Sequence, residues 1–408
     1  MEGCTLPIEV CERILEMIPS SPGTALNLWE NPQAVVPQRT LAACALTCRA
    51  WRSRAQFVLW TTPIFLTNSP VLTFTAILRR VSPSFARCVS VLDLNFEDTK
   101  HFALSHAGDF FLLSLPNLQV LQLFSVDLRE LPTRILRMRP PLCANITRLA
   151  LVVCILDTPR AMLDLIWSCP ELCELKIGSC LFRREAPLGA PARLVQVCTQ
   201  LNTCRKLTKV SLSEPSDSLV LRMPARVFGT SVTALSMFYY DLEHAGAHLA
   251  IPRFLDKSFS HLRDLEITIQ GGSPEVPPPP HAESFLCRLV QSLSAPGSLR
   301  QLKIAAEHDT TGSTACCQWL FGRSDMEDRL RSVPLALSNL AILEIVFHYH
   351  VRSQSAANYP EICASYVASV LPSMPGALVL LDDDGRRIQV AQAQVPSTFE
   401  VSPDSVAD

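Results

Sequence analysis

Metal or nucleophilic chemistry in this 408-residue chain would have to be built from its nine histidines and sixteen cysteines. His244-x-x-x-His248 puts two imidazoles on one helical face, the spacing of a zinc protease. No glutamate follows His244, however, and Ala245-Gly246 is a poor helix former, so a solvated loop pair is the better reading. Cys169-x-x-x-Cys173 with Cys180 has a superficial zinc spacing, but Cys180 falls on a recurring position of the chain and reads as core. Cys316-Cys317 and His348-x-His350 have no spaced partner set, and Asp382 to Asp384 reads as a solvated acidic turn. Phosphate-loop, nucleophile-elbow and dinucleotide motifs are absent. The expectation is a non-enzyme with no metal and no cofactor.

Composition narrows the partners. Thirty-six basic and 38 acidic residues give a net charge of −2, so no global field draws the chain onto nucleic acid or anionic lipid. Apolar residues make up 48% of the chain and charged ones 18%, enough apolar material for a large core. The longest apolar run is Leu149 to Leu156, far short of the about twenty residues that span a bilayer. MEGCTLPIEVCERILEMIP has an acid at position 2 and no basic n-region, unlike a secretory leader. The expected setting is therefore intracellular, cytoplasm and/or nucleus. There the cysteines are buried small hydrophobes and Asn145-Ile146-Thr147 stays unglycosylated.

Those cysteines must be positioned by something, and a repeat supplies it. From about residue 85 the unit L-x-x-L-x-L, sometimes followed by x-x-C, recurs. It reads Val89/Leu92/Leu94, Leu118/Leu121/Leu123, Ile146/Leu149/Leu151 with Cys154, and Leu172/Leu175/Ile177 with Cys180. It continues as Leu207/Val210/Leu212, Val232/Leu235/Met237, Leu262/Leu265/Ile267, Leu299/Leu302/Ile304 and Leu340/Leu343/Ile345. Nine units at quasi-regular spacing predict an α/β repeat: a leucine-rich-repeat solenoid, or horseshoe, over 85–384. Each unit contributes a strand to the concave wall, and segments such as Ala161 to Trp167 and Ser284 to Leu293 return on the convex side. Ser273 to His281, with four consecutive prolines, reads as an extended loop. The tail 385–408 reads as disordered.

The N-terminal 62 residues follow a different rule. Leu6, Val10, Ile14 and Ile18 recur every four residues beside Leu15, with Thr5 as an N-cap and Pro7 in the first turn. An insertion over 19–40 separates this helix from a second helical stretch running to Trp60, and a connecting segment spans 63–84. Leu6-Pro7-x-Glu9-Val10-x-x-x-Ile14-Leu15, then Leu41-x-x-Cys44-Ala45-Leu46-x-Cys48-Arg49-x-Trp51 and Leu59-Trp60, resembles the F-box, most closely the version in the F-box proteins of mushroom-forming fungi (basidiomycetes). The insertion is longer than in compact F-boxes.

The resemblance implies a substrate-recognition subunit of an SCF-type ubiquitin ligase. The F-box would dock on a Skp-type adaptor, and through it on cullin, by way of Leu6, Pro7, Ile8, Val10, Ile14, Leu15, Leu41, Leu46, Cys48, Trp51, Leu59 and Trp60. Apart from the resemblance, so small a helical unit holds more apolar surface than it can bury internally. The surplus either meets another protein or caps the solenoid. In the second case the chain is an interaction scaffold with no ligase. Strand alternation turns Phe124, Arg148, Lys176, Lys209, Phe238, Asp264 and Glu266 onto the concave face, where they would grip a target protein. Lys176 and Lys209 stand out because the chain has six lysines.

Overall fold

A computed structural model describes residues 7–18, 36–47, 49–65, 71, 74, 86–95, 102–103, 115–129, 143–183, 204–213, 225–240, 251–252, 254–255, 259–270, 285–293, 298–309, 342–350 and 378–381. The chain divides into two units, Met1–Met237 and Phe238–Asp408.

The first unit opens with three helices, α1 (Ile8–Met17), α2 (Val36–Thr47) and α3 (Arg49–Thr61). Pro7, not Thr5, is the N-cap of α1, and its carbonyl accepts from the amides of Val10 and Cys11 at 3.1 and 3.2 Å. A proline suits this place because its missing N–H would be unpaired anyway. α2 starts at Val36, five residues inside the stretch read as insertion, with Pro37 in its first turn. Leu15, Leu41, Ala45, Ala55 and Val58 form the helical core, with Ile18, Cys44, Trp51 and Leu59 packed against it.

α3 runs directly into a strand, β1 (Ile64–Phe65), within the stretch read as a connector. The strands that follow are β2 (Val91–Asn95), β3 (Phe102–Ala103), β4 (Val120–Phe124), β5 (Val126–Asp127), β6 (Arg148–Val152) and β7 (Ile155–Leu156). Helix α4 (Pro159–Trp167) precedes β8 (Glu174–Gly178), β9 (Leu181–Phe182) and β10 (Lys209–Ser213). A 3-10 turn (Ala225–Phe228) leads to β11 (Ala234–Tyr240). The main sheet runs β1-β2-β4-β6-β8-β10, parallel throughout, and the amides of Thr233 and Ala234 bring β11 onto the carbonyl of Thr208.

The register is the repeat itself. Leu92, Leu121, Leu149, Leu175 and Val210 are successive partners, as are Leu94, Leu123, Leu151, Ile177 and Leu212. All are at most 2% exposed. A second parallel sheet, β3-β5-β7-β9, stands where only helical or irregular return segments were expected. The chain turns from one sheet to the other at Ser125, Val153 and Ser179, which occupy equivalent repeat positions with φ of 57°, 53° and 44°. This is a parallel β-solenoid.

α4 covers one side of the coils. Thr158 caps it through the Ala161 amide at 3.1 Å, and Met162, Leu163, Leu165 and Ile166 face the core. Trp167 donates its indole N–H to the Val227 carbonyl at 3.1 Å, while the Arg160 guanidinium lies 4.7 Å over its ring.

In the second unit, β12 (Asp264–Gln270), β13 (Gln301–Asp309), β14 (Ile342–His350) and β15 (Leu378–Leu381) are parallel neighbours in that order, with helix α5 (Phe285–Ser292) between β12 and β13 in sequence. Again the repeat residues align, Leu265 with Leu302 and Leu343, Ile267 with Ile304 and Ile345. Among the described residues no helix is long and apolar enough to cross a membrane.

Candidate functional site

α1 carries two adjacent apolar stripes and buries one. Cys11 and Leu15 are 3% and 1% exposed, and Leu15 packs with residues of α2 and α3, with Ile18 at the edge. Val10, Ile14 and Met17, at i, i+4 and i+7, form the neighbouring stripe and are 43%, 40% and 64% exposed. Leu46 on α2 is 87% exposed and Phe57 on α3 44%. Among the described residues six large hydrophobics are exposed; five lie on these three helices, Leu181 being the other. Among the described residues of the first unit, the exposed large hydrophobics are thus concentrated on the helical segment.

The residues that the resemblance assigns to an adaptor differ in exposure. Leu15 and Leu41 hold the helical core and are 1% and 2% exposed. Trp51 and Leu59 are half-buried against that core, and the Trp60 ring stacks on Phe74 at 5.4 Å. Pro7 is exposed, Ile8 begins α1, and Leu6 and Cys48 lie outside the described residues. Met17 and Phe57 are exposed as well and were not among the expected residues. Met17 was legible as the next member of the 10, 14 series.

The strand wall also differs from expectation. The residues between the repeat leucines do form rows, but most of the wall is closed. Asp93, Gln122, Ala150 and Lys176 are register partners on one row, at 2%, 6%, 4% and 8% exposure. Asn95 beside them is 7% exposed. Lys176, expected on an open surface, is thus buried. Asp93 Oδ2, Asn95 Oδ1 and Gln122 Nε2 have no hydrogen-bond partner, and burial raises the Asp93 carboxyl from 3.8 to about 7.

The edge row is more open. Arg148 donates to Glu174 at 2.8 Å, and Lys209 is exposed as the next register partner of Glu174. Phe124 and Phe238 are half-exposed. In the second unit Asp264 is exposed, and Glu266 pairs with Lys303 at 3.1 Å.

The chain matches no family model and no curated protein. What it can do therefore rests on its own surfaces. Among the described residues no group of three His, Cys, Asp or Glu is disposed to hold a metal ion. Cys154 and Cys180 sit in the core at 0% and 7% exposure, at matching places in successive coils. Their thiols donate to the carbonyls of Leu123 and Leu151, each in the preceding coil, at 3.3 and 3.5 Å. Cys173 is half-buried. His244, His248, Cys316, Cys317, Asp382 to Asp384, the proline loop 273–281 and the tail 385–408 lie outside the described residues, as do the side chains of His348 and His350.

A further cysteine column escaped the sequence reading. Five residues ahead of each register-paired strand start stand Ala86, Leu115, Cys143, Cys169 and Cys204, all buried. From Leu115 onward their carbonyls accept from the residue three ahead at 3.1–3.2 Å. The signal was present as a small or apolar residue three before each leading aliphatic, extending the unit to x-x-x-L-x-x-L-x-L.

Proposed function

We propose that this chain is a non-enzymatic recruitment subunit whose N-terminal helices dock an adaptor protein and whose β-solenoid holds a target. The observation that carries the reading is the unburied stripe Val10, Ile14 and Met17, with Leu46 and Phe57, on the segment that resembles an F-box. An apolar face of this kind fits a partner groove. The resemblance supplies the partner, a Skp-type adaptor and through it cullin, and places the complex in cytoplasm or nucleus. Chemistry then belongs to the ubiquitin-conjugating partner. The chain contributes proximity, raising the effective concentration of target lysines near the thioester. Target contacts on the first unit fall to the open row of Arg148, Glu174 and Lys209, with half-exposed Phe124 at the other end of its strand.

The alternative, a scaffold whose helices only cap the solenoid, has support of its own. The Ser90 and Asp93 amides donate to the carbonyls of Thr61 and Pro63 at 3.0 and 3.1 Å, tying the end of α3 to the first coil. Capping uses the α3 end, though, and leaves the α1 stripe unexplained. Co-purification with the adaptor tests the reading. Ile14→Asp with Leu46→Asp changes exposed residues only, and should abolish the pull-down while the circular dichroism spectrum and Tm stay unchanged. If wild type never captures the adaptor, or the double variant still does, the scaffold reading replaces it.

A further inference from the structure

Two pairs of aligned cysteines join the coils of β6 and β8, and they differ in chemistry. Cys154 and Cys180 stand after the strands, and each S–H is spent on a carbonyl of the preceding coil. Burial pushes the Cys154 thiol well above its ordinary value and the Cys180 thiol up to about 12. A thiol so held stays protonated and is a poor nucleophile.

Cys143 and Cys169 stand before the strands. Each lies five residues ahead of a register-paired residue, Arg148 and Glu174, so they occupy the same rung of adjacent parallel coils. Neighbouring rungs are about 4.8 Å apart, inside the roughly 4.4–6.8 Å Cα window of a disulfide. Both are free thiols, 5% and 1% exposed, and each lies close enough to shift the other's titration. Cys169 also reaches the Leu165 carbonyl at 3.5 Å and lies 4.0 Å from the Ser168 hydroxyl. The two thiols are shifted in opposite directions: the neighbouring Cys169 and Ser168 bring the Cys143 thiol below its ordinary value against the upward pull of burial, whereas the nearby Cys143 and burial hold Cys169 well above its own. Cys204 continues the column one coil further on.

We propose that Cys143 and Cys169 are a peroxide-responsive thiol pair that closes into a disulfide between consecutive coils. The Cys143 thiolate attacks one oxygen of hydrogen peroxide, the O–O bond breaks, and hydroxide leaves and takes up a proton as water. Cys143 is then a sulfenic acid. Cys169 gives up its proton as its sulfur attacks the Cys143 sulfur; the S–O bond breaks and a second water leaves. Two thiols lose two electrons in total, and one peroxide becomes two waters. The product pins the coil of β6 to that of β8 at their entry turns, without involving the helical segment.

Peptide mapping of the full chain after native peroxide treatment, acid quench and alkylation in denaturant tests the proposal. The expected result is a loss of two hydrogens per chain and a linked Cys143–Cys169 peptide pair, at least roughly tenfold more abundant than any Cys154–Cys180 pair. Cys169→Ser should leave a dimedone-trappable sulfenic acid on Cys143, and Cys143→Ser should leave none. Full alkylation of Cys143 and Cys169 in treated wild type overturns the proposal. So does a dominant Cys169–Cys204 or Cys154–Cys180 link, or a link formed only when the chain is denatured first. The wild-type map decides the matter even where a serine variant fails to fold.

Discussion

Val153 shows what single residues contribute to this solenoid. It holds φ at 53° in the corner where Ser125 and Ser179 stand in neighbouring coils, although β-branched residues resist the left-handed region. Such a residue costs about 1–3 kcal/mol, so Val153→Gly should raise stability by about 1 kcal/mol in urea titration once lost packing is subtracted. A drop in stability would mean that its side-chain contacts outweigh the strain. Gly229 makes the opposite case. Its φ is 87°, and an added Cβ would stand 2.9 Å from the Cys204 carbonyl oxygen, so Gly229→Ala should destabilise. Asp93 gives the chain a pH signature. Its carboxyl stays protonated in the fold up to about 7 but ionises near 3.8 once exposed, so the folded state binds the extra proton between those values. Its contribution is therefore full below about pH 4, declines as pH rises, and is gone above about 7, a span of at most roughly 4 kcal/mol. Asp93→Asn should flatten that slope in urea midpoints measured from pH 4 to 8; an unchanged slope would assign it to other groups.

At the scale of elements, α1 separates a buried stripe from an open one on a single helix. Leu15→Ala should cost about 2–5 kcal/mol of stability, since it empties a site 1% exposed in the helical core. Ile14→Ala, one residue away on the open stripe, should stay within about 0.5 kcal/mol. Equal losses in thermal unfolding would show that the open stripe is covered after all. The same helix marks how far the sequence could be read. Its period, its approximate ends and its apolar surplus were legible. Which stripe turns inward was not, because Val10/Ile14 and Cys11/Leu15 are both apolar and only tertiary packing against Leu41, Ala45 and Val58 decides between them. The strands behave alike: alternation put Gln122 and Lys176 opposite the leucines, but alternation says nothing of what closes over that face. Both are buried. The second sheet was invisible because two-residue strands such as β5 and β7 are too short to show a period.

At the scale of the molecule, repeat spacing becomes register. The intervals of 29, 28, 26 and 35 residues between successive leading aliphatics equal the offsets that pair β2 with β4, β4 with β6, β6 with β8 and β8 with β10. Length differences between repeats are thus absorbed outside the strands, and each coil is stabilised by the coil before and after it. Such an array approximates a one-dimensional chain of nearest-neighbour interfaces rather than one indivisible core. A cavity in the middle of the first unit should then act locally. Leu149 is 0% exposed and partners Leu121 and Leu175, so Leu149→Ala should cost about 2–5 kcal/mol. Native-state hydrogen exchange should show the greatest loss of protection in β6, less in β4 and β8, and least in β2 and β10. A uniform loss across β2 to β10 would contradict nearest-neighbour coupling and assign the first unit a single cooperative transition. The graded pattern would instead mean that a perturbation of one coil, an added cross-link included, is felt mainly by the coils it touches.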